Sequence, residues 1–240
     1  MSTIAIIQAR MGSSRLPGKS AMLLCGKPVV WHVVNRVKQA EVDEVVLAVP
    51  QEPISFPWAE VVRDLNVPVV VVGGDPNDLL YRYVYTAKAY DAKNIVRIPG
   101  DNPCVDPDEI NRIIQTFYNC SPGGDWLTSN LDRNINGNNY PGGLGAEVYE
   151  RSFLEWMEED LHDPQHREHP HKWAFEKDRV ITCPCPKEIA RPDLRFDVNT
   201  LEDFIYIEGI YQALYSTNSN FKIRDILNYL KERGCGPQRS

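Results

Sequence analysis

Residues 6–20 read IIQARMGSSRLPGKS. An apolar run breaks into a loop carrying Gly12, Ser13, Ser14 and Gly18 among the cations Arg10, Arg15 and Lys19. Small residues leave backbone N–H groups open to anions, and Arg and Lys supply charge, so this strand end predicts a phosphate-holding loop. It is not a Walker loop of the GxxxxGK type, because five residues, Ser13 to Pro17, separate Gly12 from Gly18. Pro17 also removes one N–H donor from any cradle. No GxGxxG follows the strand, so the dinucleotide fingerprint is missing too. The solvated basic turn is the alternative, and the loop's position at a strand's carboxyl end argues against it.

Outward from this loop the chain alternates. TIAIIQA (3–9), EVVLAVP (44–50), VPVVVV (67–72) and NIVRIP (94–99) have the composition of buried strands. Between them, PVVWHVVNRVKQA (28–40) carries its valines at helical spacing, PWAEVVRDL (57–65) is weakly helical, and DPNDLLYRYVYTAKAY (75–90) predicts a helix with Asp75 as N-cap and Pro76 at its first position. DPDEINRIIQTFYN (106–119) follows as another helix, with Asp106 and Asp108 placed to cap it. This rhythm means parallel strands joined by right-handed crossovers. Such sheets take their ligands outside the carboxyl ends of the strands, where the opening loop and PGDNPCVDP (99–107) both lie.

After about residue 120 the rhythm breaks into loop-rich sequence. GAEVYE (145–150), RVITCPCP (179–186) and LRFDVN (194–199) predict strands, SFLEWMEEDL (152–161) and EHPHKWAFE (168–176) short helices, and two helices close the chain. There is no internal repeat and no low-complexity linker. The 240 residues predict a single α/β domain with an inserted excursion at about 130–180.

The bulk numbers exclude several classes. With 42 % apolar and 25 % charged residues the chain can build a core without staples. A net charge of −7 argues against a nucleic-acid or membrane surface. Six cysteines without a CxxC pair, an N-terminus without a basic region before an apolar run, and no apolar stretch long enough to span predict reduced thiols in a cytoplasmic protein. HDPQHREHPH (162–171) holds four of the five histidines, yet it lacks HExxH spacing and Pro170 interrupts any helix, which disfavours zinc.

IIQARMGSSRLPGK resembles the signature of the cytidylyltransferases that make CMP-activated sugar acids, including the acylneuraminate and 3-deoxy-manno-octulosonate enzymes, and is most similar to their spore-coat polysaccharide branch. GGDPNDLLYRYVYTAKAY (73–90), VRIPGDNPCVDPDEI (96–110) and LRFDVNTLEDF (194–204) resemble further blocks of that branch in the same order. The resemblance implies a Rossmann-like α/β fold of the GT-A kind, a mostly parallel sheet flanked by helices, and transfer of CMP from CTP to an anionic acceptor with release of pyrophosphate. It further implies Mg²⁺, a homodimer formed through the excursion, to which Trp156 and Trp173 could contribute unless they are core, and a place in surface-polysaccharide synthesis. A glycosyltransferase using a nucleotide-sugar, or an inactive binding homologue, are the competing classes; no clear DxD stands where the first would need one.

Carried onto this chain, the resemblance makes Arg15, Lys19 and Asp101 catalytic. Arg10, Gly12, Ser13, Ser14, Arg15, Lys19, Asp78 and Arg82 would bind nucleotide, although Asp78 and Arg82 are also spaced for an i, i+4 salt bridge. Asp101, Asp197 and Asn199 would hold the metal, with helix capping the alternative for Asp101. The sialate branch has aspartate at both of the last two positions, so Asn199 is a departure. Asp203 fits a helix first turn better than a metal site. Gly143, Glu147, Arg167 and His169 would meet the acceptor, and Gly143 and Ala146 stand where relatives often carry acids, which predicts a different acceptor.

Overall fold

A computed structural model describes residues 2–53, 56–120, 126–130 and 139–233. Part of the predicted excursion, 131–138, and Cys235 lie outside the described residues. The elements run, in chain order, β1 (Thr3–Gln8), β2 (Leu23–Leu24), β3 (Lys27–Pro28), α1 (Val29–Val37), β4 (Glu44–Pro50), α2 (Trp58–Val61), β5 (Val69–Val72), α3 (Leu79–Ala89), β6 (Asn94–Pro99), α4 (Pro107–Cys120), β7 (Leu127–Ser129), β8 (Glu147–Glu150), α5 (Arg151–Asp160), α6 (Pro164–Glu168), α7 (Pro170–Glu176), β9 (Val180–Thr182), α8 (Leu201–Leu214) and α9 (Ile223–Glu232).

Seven strands form one sheet in the order β5-β4-β1-β6-β8-β7-β9. β1 pairs in parallel with β4 and β6, and β4 with β5; only β8 runs against its neighbours. This is a Rossmann-like α/β fold. β8, the strand expected at GAEVYE within the excursion, is an interior strand between β6 and β7.

Each central strand buries both faces, which is why its sequence is apolar without alternation. On one side Ala5 and Ile7 of β1 meet Val33, Val34 and Val37 of α1 and Ile110, Ile113 and Phe117 of α4. On the other, Ile4 and Ile6 meet Leu80, Tyr83 and Val84 of α3 and Phe153, Leu154 and Met157 of α5. Each such side chain contributes about 1.5–3 kcal/mol by leaving water. A third apolar cluster joins α8 and α9 to Leu194, Phe196 and Val198, holding the chain before α8 against the carboxyl end of the sheet.

Two expectations change. The α3 helix starts at Leu79 with Asp78 as N-cap, accepting from Tyr81 N at 2.9 Å, while Asp75 instead accepts from Asn77 N at 2.8 Å. The Asp75 carboxylate closes a local turn that ends with Asp78 N donating to Asp75 O at 3.0 Å, and the helix begins only after that turn. Residues 194–199 alternate as a strand would, with Leu194, Phe196 and Val198 buried, but make only an isolated bridge from Arg195 to Gly142. Their hydrogen bonds go to irregular partners: Phe196 N donates to Gly142 O at 2.8 Å and Val198 N to Asp101 O at 2.8 Å. The small hairpin of β2 and β3 was not expected; it turns at Cys25 and Gly26, both at positive φ. Trp156 is exposed and packs edge-on against Trp173, which packs on the core.

Candidate active site

Parallel strands aim their carboxyl ends at one edge of the sheet, and the loops leaving β1 and β6 meet there. They enclose a cavity of about 310 Å³. Five cationic side chains, Arg10, Arg15, Lys19, Arg82 and Arg97, line it against two carboxylates, Asp101 and Glu168. Gln8, Ser13, Ser14, Ser20, His169 and Asn199 complete the polar wall. A concave site with this excess of positive charge suits a polyanion.

The wall near the opening loop is tied together by side chains from three distant segments. Lys19 Nζ donates to the Asp101 carboxylate and to Val198 O, the latter at 2.7 Å. Arg15 Nη2 donates to Asn199 Oδ1 at 2.6 Å. Since Val198 N also reaches Asp101 O, the end of β6 and the chain before α8 sit side by side under the loop.

Deeper in the cavity lies Arg97, 6 % exposed, on β6. Its Nη1 donates to Glu147 Oε2 at 2.8 Å and its Nε to the Tyr83 hydroxyl at 3.0 Å. Burial works against the Arg97 charge, but Glu147 and the tyrosine hydroxyls outweigh it and keep the guanidinium protonated. Burial likewise pushes the Glu147 carboxyl up, and is overcome by Arg97, then His171 and the Tyr149 hydroxyl, which leave it below the ordinary carboxylate value. Beside them Arg82 is 2 % exposed; its Nη2 donates to Pro76 O at 2.6 Å, while its Nη1 is buried without a protein partner among the described residues. A buried donor left unmet is costly, so this one marks where a ligand oxygen would be welcome. His169 is held below its ordinary pKa by burial first and Lys172 second, so it is neutral at neutral pH.

Of the expected residues, the cavity gathers Arg10, Ser13, Ser14, Arg15, Lys19, Arg82, Asp101, His169 and Asn199. Six others lie outside its lining, each for a visible reason. Gly12 gives its N–H to Glu52 Oε1 at 2.9 Å. Asp78, the α3 cap, pairs with Arg167 Nε at 2.7 Å, which commits both and leaves no Asp78–Arg82 pair. Arg167 also donates to Glu158 O and Leu161 O, pinning α6 to α5 and α3. Glu147 faces inward as the counter-ion of Arg97. Gly143 has φ +83, and a Cβ there would stand 2.6 Å from Asp197 N, so its glycine serves the backbone crossing. Asp197 accepts from Arg195 Nε at 3.1 Å and Nη2 at 2.6 Å and from the Asn199 amide, so its charge is already met.

Asp203 closes a capping box with Thr200, as a first-turn acid should. His166 pairs with Asp163 and Glu176, and His171 with Glu147. Among the described residues no three His, Cys, Asp or Glu side chains converge as a metal cluster. Gln8, Ser20, Arg97 and Glu168 are the polar cavity residues missed in the sequence. Arg97 had a signal: it is the one charge in the buried strand NIVRIP.

Comparison with known proteins settles the family. The family model described as "Cytidylyltransferase" matches residues 4–135, more than half of the chain. The chain belongs to the cytidylyltransferase family. Its fold matches a solved cytidylyltransferase from Leptospira borgpetersenii with a TM-score of 0.86, at 26 % identity over 100 % of this chain and 98 % of that one. The spore coat polysaccharide biosynthesis protein SpsF of Bacillus subtilis is 29 % identical over 86 % of this chain and 85 % of its own length. The 3-deoxy-manno-octulosonate cytidylyltransferase of Trichlorobacter lovleyi is 34 % identical over 51 % of this chain, and the match spans about half, 47 %, of that protein. The matched segment carries the opening loop, Arg82, Arg97 and Asp101, whereas Glu168, His169 and Asn199 come from beyond it.

Proposed function

We propose that this chain transfers CMP from CTP to an anionic acceptor such as a sugar acid, releasing pyrophosphate, in the synthesis of a surface polysaccharide. The observation that carries the proposal is the convergence of Arg10, Arg15, Lys19, Arg82 and Arg97 around Asp101 in one cavity at the carboxyl ends of parallel strands. Membership of the family supports CTP as the donor, and likeness to SpsF supports the polysaccharide setting.

In this reaction an acceptor oxyanion attacks the α-phosphorus of CTP. The bond from that phosphorus to the bridging oxygen breaks, and its electron pair leaves on pyrophosphate. Two anions must be brought in line and the growing charge on the leaving group offset, which is positioning and electrostatics more than covalent catalysis. Arg10, Arg15 and Lys19 hold the triphosphate, Arg bidentately and Lys as a point charge. Arg82 Nη1 donates to the nucleotide. Arg97, fixed by Glu147 and Tyr83, presents a guanidinium that cannot swing away, and neutral His169 offers a hydrogen bond to the acceptor without adding charge.

Asp101 and Asn199 bring a carboxylate and an amide oxygen to the same wall, hard oxygen donors of the class Mg²⁺ accepts. They are the residues that would hold the ion, whose role when bound is to neutralise phosphate charge. Asp197, matched by Arg195, is the weaker candidate.

The test is pyrophosphate release from each nucleoside triphosphate with Mg²⁺ and a panel of sugar acids. Release from CTP alone, dependent on one acid, is the expected result. Release that is equal for all four triphosphates, or dependent on no acid, would remove the proposal.

A further inference from the structure

The opening loop does not turn all of its small residues toward the cavity. Arg10, Ser13, Ser14 and Arg15 line it, and Met11 and Gly12 between them do not. The two missing residues face Glu52, two positions beyond the end of β4. Glu52 Oε2 accepts from Met11 N at 2.7 Å and Oε1 from Gly12 N at 2.9 Å. One carboxylate therefore closes both consecutive amides, the arrangement in which backbone N–H groups hold an anion. The carbonyl of the same residue is anchored as well, since Met11 O accepts from Ser13 N at 3.0 Å and Gly18 N at 2.9 Å.

Gly12 explains itself through this contact. Its φ is outside the left-handed region, so the backbone does not require glycine. A Cβ, however, would stand 2.8 Å from Glu52 Oε1, too close for the carboxylate to stay.

We propose that Glu52 is a positioning residue for the nucleotide loop: its carboxylate, and not a phosphate, is the anion held by the Met11 and Gly12 amides. Pinned on its outer side, the loop turns Arg10 and the Ser13–Arg15 stretch into the cavity. The triphosphate is then left to side chains and to the remaining backbone. The nucleotide half of this inference rests on the proposed function, whereas the loop half does not.

Two measurements on the full chain test it. Amide hydrogen exchange without nucleotide should show Met11 and Gly12 protected in the wild type and roughly tenfold or more faster in Glu52→Ala, with Glu52→Gln between, because glutamine keeps one acceptor oxygen. Calorimetric titration with Mg·CTP should give a dissociation constant about tenfold weaker in Glu52→Ala. The KM for CTP should rise while kcat at saturation stays near the wild-type value, a split that general loss of structure would not produce. Gly12→Ala should mimic the loss in the wild-type background and add little in Glu52→Ala, where nothing remains for its Cβ to displace.

Unchanged exchange at Met11 and Gly12 in a folded variant overturns the inference. CTP binding that is equal or tighter in Glu52→Ala overturns it too, because the carboxylate would then be a bystander or a competitor for phosphate. Should Glu52→Ala fail to fold, Glu52→Gln and Gly12→Ala carry the same two readouts. If the wild type binds no CTP, the proposed function fails, and the exchange rates still decide the role of Glu52.

Discussion

Replacing Glu147 by Gln separates the acceptor role expected from the sequence from the counter-ion role seen in the structure. The substitution keeps size and one acceptor oxygen but removes the charge opposite Arg97. Arg97 and Glu147 are 7 % and 1 % exposed at their side chains, so water cannot compensate. Removing one partner of a buried pair costs about 3–5 kcal/mol, because the other charge is stranded. The retained amide oxygen can still accept from Arg97 Nη1 or Tyr149, which places this case near about 3 kcal/mol. For a domain of this size each kcal/mol moves the melting temperature by about 2–4 °C, so the expected fall is about 6–12 °C.

Scanning calorimetry at neutral pH is the assay. The sign of its pH dependence follows from the depressed Glu147 carboxyl. A group whose folded pKa lies below its unfolded value contributes in full above that unfolded value, 4.5, and loses the contribution as pH falls through the folded one. The gap between wild type and Glu147→Gln should therefore be constant at neutral pH and close in acid. Adding Arg97→Met to Glu147→Gln should recover part of the stability, since the stranded charge is gone. A Glu147→Gln protein that melts within about 2 °C of the wild type, yet shows a raised acceptor KM, would refute the counter-ion argument and return Glu147 to the acceptor pocket.

Three further outcomes follow from the same geometry. Asp101→Asn should lower kcat on the order of 100-fold, whereas Asp197→Asn, whose charge already belongs to Arg195, should leave kcat near the wild-type value; pyrophosphate release against Mg²⁺ concentration reads both. Arg15→Ala should weaken CTP binding by about 10- to 100-fold, measured by calorimetry, as one or more charge-assisted bonds are lost. His32, 2 % exposed and driven down to about 4, chiefly by burial, should cost stability as pH falls from 6.5 toward that value, because the unfolded chain takes up the proton first. The loss amounts to roughly 3 kcal/mol at about 1.36 kcal/mol per unit, and denaturant titrations of His32→Gln should lack it.

What was legible in the sequence depended on whether a residue's partner is local. The apolar runs of β1, β4, β5 and β6 declare themselves because both faces are buried, and the basic loop after β1 declares itself because its residues are contiguous. The counter-ion of Arg97 lies 50 residues away, Glu52 lies 40 residues beyond Gly12, and Asn199 lies 184 beyond Arg15. No spacing rule reaches such pairs; the sheet order puts β8 next to β6 and the end of β4 beside the opening loop, and the apolar cluster of α8 and α9 brings Asn199 to it.

The same distinction explains why acids were harder to assign than bases. A cation in a loop at the strand ends of this fold has few uses besides an anion, so Arg10, Arg15 and Lys19 needed only a common cavity. A carboxylate can cap a helix, neutralise a cation or hold a metal, and the acids of the site region differ in how far they are already committed. Asp78 caps α3 and binds Arg167, Glu147 neutralises Arg97, and Asp101 remains turned to the cavity with Lys19. Asp197 shows why its type alone decides nothing: two residues before Asn199 on an extended segment, it shares a face with a cavity residue and is nevertheless committed to Arg195. An acid's role is set by which cation reaches it first. In this fold the reach is long-range for Glu147, whose cation lies 50 residues away, and short for Asp197, whose cation lies two residues before it.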